Sequence, residues 1–267
     1  MGTTMMMRWM PMTAVLMVAA PALAQAPAAA TTPSASTAMT PAKMPPGYLA
    51  GKPPVDILKL LPAPPAAGSA QDIADRTAYA ASAKGIGGAD WKAATAEINP
   101  TSPEFMAALS CAVGTKLSLQ ATPATMAMVA RAGVDLIGPM TVAKQHYARP
   151  RPFTTDKGQA CDPVAADGVG ARLGWSYPSG HSGIGWLWAL VLSDAAPARA
   201  PAIRSFGQAT GDLRIACRVH WLSDVENGRI LATTVYQRIA AEPEYQADRE
   251  RAAAELAKAP RLDCAGR

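Results

Sequence analysis

The stretch Ser176-Tyr177-Pro178-Ser179-Gly180-His181-Ser182, followed by Ile184-Gly185-Trp186-Leu187-Trp188-Ala189-Leu190-Val191-Leu192, decides how this chain is read. Ser179 is of the type that caps a helix by accepting a bond from a first-turn amide, so a helix is expected to begin at Gly180. The run behind it is apolar enough to bury that helix in a core. A buried helix led by Ser-Gly-His presents free backbone N–H groups, a hydroxyl and a titratable imidazole at its positive end. Such an end suits an anion with an acid beside it. Gly180 lets the anion approach the backbone, and Pro178 stiffens the entry.

Two further clusters lie on either side. Upstream, Lys144 is followed, after six intervening residues, by Arg151-Pro152, with Pro150 breaking a long helical pattern between them. Downstream, Arg214 is followed after five residues by His220 and after three more by Asp224. At i, i+4 on one helix, the Asp224 carboxylate could reach an imidazole nitrogen of His220 and fix its tautomer. Arg214 would lie roughly 240° around a continuous helix from His220, so the chain is expected to turn near 217–219. Each of these two clusters alone reads more readily as solvated charge or a surface ion pair. Together they supply three cations, a hydroxyl, free amides and two histidines, an inventory that suits phosphoryl transfer. The sequence offers no carboxylate cluster for magnesium or zinc, so no cofactor is expected and the cations take that role.

The Lys-x6-Arg-Pro, Pro-Ser-Gly-His and Arg-x5-His-x3-Asp set resembles the three-part signature of the type-2 phosphatidic acid phosphatase and vanadium haloperoxidase superfamily. Ile57-Leu58-Lys59-Leu60-Leu61-Pro62, Gly68-Ser69, His220-Trp221 and Ser223-Asp224-Val225 make the chain similar to bacterial class A non-specific acid phosphatases, over roughly 48–240. The resemblance implies an all-α bundle, usually oligomeric, that hydrolyses phosphate monoesters in the periplasm at acidic pH without a metal. It implies that His220 attacks phosphorus, that Asp224 orients it, and that His181 protonates the leaving oxygen. Lys144, Arg151, Arg214, Ser179 and the Gly180 N–H would hold the phosphoryl oxygens. The chain departs from that pattern at Leu213, Arg218, Trp175 and Ser182, none of which removes a catalytic group. Arg218 is expected to add a cation near the site. A vanadate-dependent haloperoxidase using the same pocket is the alternative, and a non-enzymatic phosphate-binding protein a third reading.

The remaining sequence fits an exported protein of 267 residues. Residues 1–24 carry Arg8 as their only charge, a short apolar run and Ala22-Leu23-Ala24, the pattern of a cleaved signal peptide. Cleavage takes one positive charge from the formal +5 and leaves +4, a mild surplus without a basic block, which suits a small anionic substrate better than nucleic acid. Residues 25–47, rich in Ala, Pro and Thr, read as a disordered leader before a helical domain over 48–267. Export makes Cys111, Cys161, Cys217 and Cys264 candidates for two disulfides with three possible pairings. Cys111–Cys161 with Cys217–Cys264 is favoured, and buried free thiols are the alternative.

Capping signals place helices over about 69–84, 89–98 and 102–119, then 122–148, from 179, over 201–217 and from Leu222 to the C-terminus. Tyr48 to Pro65 reads as an extended arm. Met126, Val129, Val134, Ile137 and Met140 are expected to face the core. The longest unbroken apolar run after residue 24 is about ten residues, too short to span a membrane. His146 matches no motif position and reads as an ordinary helix residue, as do Arg149 and Tyr147.

Overall fold

The computed structural model describes residues 45–162 and 174–264, which belong to one compact unit. The expected signal peptide, most of the expected leader and the centre of the loop before Gly174 lie outside the described residues. Among the described residues, ten α-helices carry the fold. They are α1 (Ile57–Leu60), α2 (Ala70–Ser82), α3 (Ala89–Ala96), α4 (Pro103–Val113) and α5 (Pro123–Tyr147), then α6 (Pro152–Thr155), α7 (Gly180–Ala195), α8 (Ala200–Ala216), α9 (Leu222–Ala240) and α10 (Pro243–Lys258). Among the described residues there is no β-strand, only an isolated bridge between Thr115 and Arg261. The fold is all-α, as expected.

The apolar run chosen from the sequence is the central helix. α7 packs against α8, α9, α5 and α10. It buries Leu187, Ala189, Val191 and Leu192 among Met128 and Leu136 of α5, Ile203 of α8, and Leu231, Val235 and Ile239 of α9. Each of these side chains other than that of Ala189 contributes on the order of 1.5–3 kcal/mol by leaving water. The approach of α8 to α7 depends on Gly207, where a Cβ would sit 2.9 Å from the Gly185 carbonyl oxygen.

Local signals set most helix starts. Ser69, Ser102 and Ser179 accept bonds from the amides of Asp72, Phe105 and Ser182, and Pro103 occupies the first turn of α4. Thr122 instead bonds Ser118 and leaves the α5 amides to Glu255, which takes Ala124 and Thr125.

Several expectations are corrected. α4 stops at Val113 rather than running to Leu119, because Gly114 takes the left-handed conformation (φ 86°) that closes a helix. The last helical stretch is two helices, broken before Pro243, whose missing N–H cannot continue a ladder. The arm from Tyr48 contains one helical turn and buries Tyr48, Val55, Ile57 and Leu61. On α5, Val129 and Met140 face the core, but Met126 and Val134 are half-buried and Ile137 is 53% exposed. The buried stripe runs through Met128, Ala132, Leu136 and Met140, and Ile137 falls one residue, about 100°, off it. The segment Pro123–Thr155 is long and apolar enough to cross a bilayer by length and composition, which the ten-residue limit read from the sequence had excluded. In the fold, α5 packs on α7, α9 and α10.

The disulfides are Cys111–Cys264 and Cys161–Cys217, not the favoured pairing. The C-terminal segment returns antiparallel to the end of α4, with Thr115 Oγ1 donating to the Pro260 carbonyl and the Leu262 amide to that of Gly114. That return brings the Cα atoms of Cys264 and Cys111 to 5.8 Å. Cys161 donates its amide to the Cys217 carbonyl, and this local pairing brings those two Cα atoms to 4.7 Å.

Candidate active site

The chain turns between α8 and α9 as Arg214 and His220 required. α8 ends at Ala216, and Arg218 adopts positive φ (66°). His220 lies just outside α9, with Trp221 as N-cap and Asp224 in the first turn. The pair therefore does not share a helix face, as the i, i+4 reading assumed, but meets across a helix N-terminus. Asp224 Oδ2 accepts the Trp221 amide at 2.8 Å. His220 Nδ1 lies 3.4 Å from the same oxygen and 3.3 Å from Ser176 Oγ, which donates to Asp224 Oδ2 at 2.5 Å. Ser176 thus stands between the two residues. Its hydroxyl proton goes to the carboxylate and its lone pair is left for Nδ1–H.

The other ring nitrogen is fixed by a cation. Arg151 Nη1 is 3.2 Å from His220 Nε2 and also donates to the Val219 carbonyl at 2.9 Å. A guanidinium only donates, so Nε2 carries the lone pair and Nδ1 the proton. That is the tautomer a nitrogen nucleophile needs.

Lys144, on the last turns of α5, donates to the Trp175 carbonyl at 2.6 Å. Arg214, on the last turn of α8, donates Nη2 to the Ala94 carbonyl, while its buried Nε has no hydrogen-bond partner among the described residues. A buried charged donor without an acceptor is costly unless something anionic meets it. His181 Nε2 lies 2.5 Å from the Ile98 carbonyl, which can only accept, so Nδ1 is the nitrogen available for chemistry. Ser179 is buried and donates its amide to the Asp224 carbonyl. Gly228 lets α9 lie this close to the start of α7, because a Cβ there would meet the Ser179 carbonyl oxygen at 2.5 Å. Gly180 opens α7 with open space where a Cβ would stand.

The charges act on one another as members of a single site. His220 is held well below the usual histidine range by burial, then by Arg151, Lys144, His181 and Arg214. His181 is pushed down to about 4 by burial and then by Arg214, Arg151 and Lys144. Burial, then Arg151, lowers Lys144 to about 7. Burial also brings Arg151 and Arg214 to about 10. Asp224 is raised by burial, against the opposing charge of Arg149. An anion placed among these cations would reverse the histidine and lysine shifts.

The sequence reading missed what holds Asp224. Arg149 donates to Asp224 Oδ1 at 2.6 Å and to Asp75 Oδ2 at 2.7 Å, and its guanidinium lies 5.3 Å from the centre of the Trp221 ring. Asp75, from α2, also takes the Ser223 amide and hydroxyl at 2.8 and 2.6 Å. No local pattern joins Asp75 to residues some 150 positions later. The only hint was that a buried carboxylate needs a cation. Arg218 adds no cation to the pocket, since its guanidinium donates to the carbonyls of Tyr79 and Gln159. Trp175 lends its carbonyl to Lys144, and Leu213 packs near the Cys161–Cys217 disulfide. Ser182 Oγ donates to the Val225 carbonyl, tying α7 to α9. His146 is exposed and stands edge-on to Tyr147. Among the described residues, no group of three His, Cys, Asp or Glu side chains is arranged to hold a metal.

A family described as the PAP2 superfamily matches residues 121–243, a span that contains every candidate residue from Lys144 to Asp224. The chain is 31% identical over 204 residues to an acid phosphatase of Zymomonas mobilis, covering 76% of each chain. It is 32% identical over 188 residues to a non-specific acid phosphatase of Salmonella typhimurium, covering 70% of this chain and 74% of that one. A non-specific acid phosphatase of Providencia stuartii is 30% identical over 213 residues, with 79% and 85% covered. The chain belongs to the PAP2 superfamily. Within it, the protein is an acid phosphatase, a phosphoric monoester hydrolase.

Proposed function

We propose that this acid phosphatase is exported to the periplasm and hydrolyses small phosphate monoesters through a phosphohistidine on His220, without a metal. The observation that carries the reading is the orientation of His220, whose Nε2 lone pair faces Arg151 while Nδ1 faces Ser176 and Asp224.

In the first step Nε2 attacks phosphorus and a P–N bond forms. The P–O ester bond breaks, and its electron pair leaves on the alcohol oxygen, which takes a proton from Nδ1 of His181. The phosphorylated imidazole is cationic, and Asp224 and Ser176 offset that charge at Nδ1–H. In the second step water attacks phosphorus and His181 Nδ1 takes its proton. The P–N bond breaks, its electron pair returns to Nε2, and phosphate is released. Lys144, Arg151, Arg214 Nε, Ser179 and the Gly180 amide hold the phosphoryl oxygens, and the three cations neutralise charge that a metal neutralises elsewhere. The phosphoryl dianion raises His181 toward the working range, so the substrate helps to protonate its own acid.

Phosphate release from an aryl phosphate at roughly pH 5–6, with EDTA present, tests this for wild type and His220→Ala. Turnover in the wild type that disappears in the variant supports the reading. Loss of wild-type turnover on adding EDTA would refute the metal-free mechanism.

A further inference from the structure

Beside the site, α5 and α7 enclose a groove of about 440 Å³. It starts at Gly180, the same helix start that carries Ser179 and His181, and extends to Trp188, about 12 Å further along α7. Its walls include Met126, Val134, Ile137 and Ile184, and among the described residues that line it none is charged. Gly180 has no neighbour within 4 Å of a built Cβ, so the end of the groove at the start of α7 is not closed by a side chain packed on that residue. Gly133 keeps the middle open, since a Cβ there would lie 3.2 Å from Ile184 Cδ1 and 3.4 Å from Trp188 Nε1. Trp188 is 9% exposed, and its indole N–H is buried with no acceptor among the described residues.

We infer that this groove is a leaving-group subsite that selects monoesters of apolar alcohols bearing one hydrogen-bond acceptor, such as an ether or carbonyl oxygen, placed to meet Trp188. The inference rests on the phosphatase reading above. Its volume falls in the range of small-molecule sites. A charged or polyhydroxylated alcohol would give up its hydration there for nothing. An apolar alcohol gains from burial, and its single acceptor satisfies the orphaned indole. The alcohol is covalently tied to the phosphoryl group, and Gly180, which lines the groove and opens the helix capped by Ser179, identifies it as the occupant.

The test is kcat/KM for methyl, butyl and octyl phosphate, and for an ether-containing isostere of the octyl ester, with the full mature chain. The expected rise is about two- to fourfold per added methylene, the upper figure being full burial. Ile137→Asp changes an exposed wall residue and Gly133→Leu fills the groove; in both, the octyl-to-methyl ratio should collapse, a ratio that cancels any general loss of activity. Trp188→Phe keeps an aromatic side chain but removes the N–H, and should remove an advantage of about fivefold of the ether over the alkyl ester. A flat series in wild type that still turns over methyl phosphate overturns the subsite and leaves the phosphatase reading intact. No release from any ester would overturn both. If Ile137→Asp turns an oligomer into a monomer by analytical ultracentrifugation with the ratio unchanged, the groove is covered by a second copy and the inference is wrong.

Discussion

Arg149→Met removes the cation that sits between two fully buried carboxylates. Arg149 donates to Asp224 and Asp75 at 2.6 and 2.7 Å, and those acids are 0% and 1% exposed. Breaking a buried pair by deleting one partner costs about 3–5 kcal/mol. The low end applies, about 3 kcal/mol, because Asp224 keeps the Trp221 amide and Ser176, and Asp75 keeps Ser223. Arg149→Lys keeps the charge but not the fork, and should cost about 1–2 kcal/mol. Burial already raises Asp224, and Arg149 is the strongest influence opposing it. Without Arg149 the carboxyl rises further. In the proposed mechanism Asp224 acts as the carboxylate, so the acid limb of kcat/KM should move to higher pH in Arg149→Met. A raised folded value also means that the folded state holds the proton more tightly. Stability should therefore fall more steeply in the variant as pH rises above about 4, the unfolded value. Urea unfolding and pH–rate profiles measure both effects. A folded Arg149→Met whose acid limb coincides with that of wild type would refute the reasoning.

Three further outcomes follow from the same geometry. Lys144, at about 7, loses its charge as pH rises through neutrality, so inhibition by inorganic phosphate should weaken there, while Lys144→Arg should carry binding to higher pH. Because an anion raises Lys144, His181 and His220 together, phosphate binding near pH 6–7 should take up protons, seen as a buffer-dependent enthalpy in titration calorimetry. Replacing both Cys161 and Cys217 by Ala should cost about 2–4 kcal/mol of unfolding free energy, whereas Cys111 with Cys161 replaced should cost more than either disulfide alone, because it breaks both.

What the sequence made legible was local or periodic. Ser179 capping α7, the apolar run behind it and the turn between Arg214 and His220 all follow from short-range rules, and the three motif clusters supplied candidate side chains that influence one another's charge in the fold. Distance in sequence hid the rest. Asp75 and Arg149 meet Asp224 from other elements, and Ser176 comes between His220 and Asp224 only because the segment before α7 folds back beneath α9. The disulfides went wrong for a similar reason, since the C-terminal segment pairs with the end of α4 rather than with its neighbour in sequence. Ile137 shows the limit of periodicity, where one residue of phase separates a core position from a groove wall.

The central claim is that His220 carries the phosphoryl group, and rapid acid-free quenching of the enzyme with a radiolabelled aryl phosphate tests it most directly. Label should appear on the wild-type chain within one turnover, with the acid-labile, base-stable behaviour of phosphohistidine, in a peptide containing His220, and it should be absent from His220→Ala. Phosphate release with no labelled chain at any quench time, or label that persists in His220→Ala, would contradict the account.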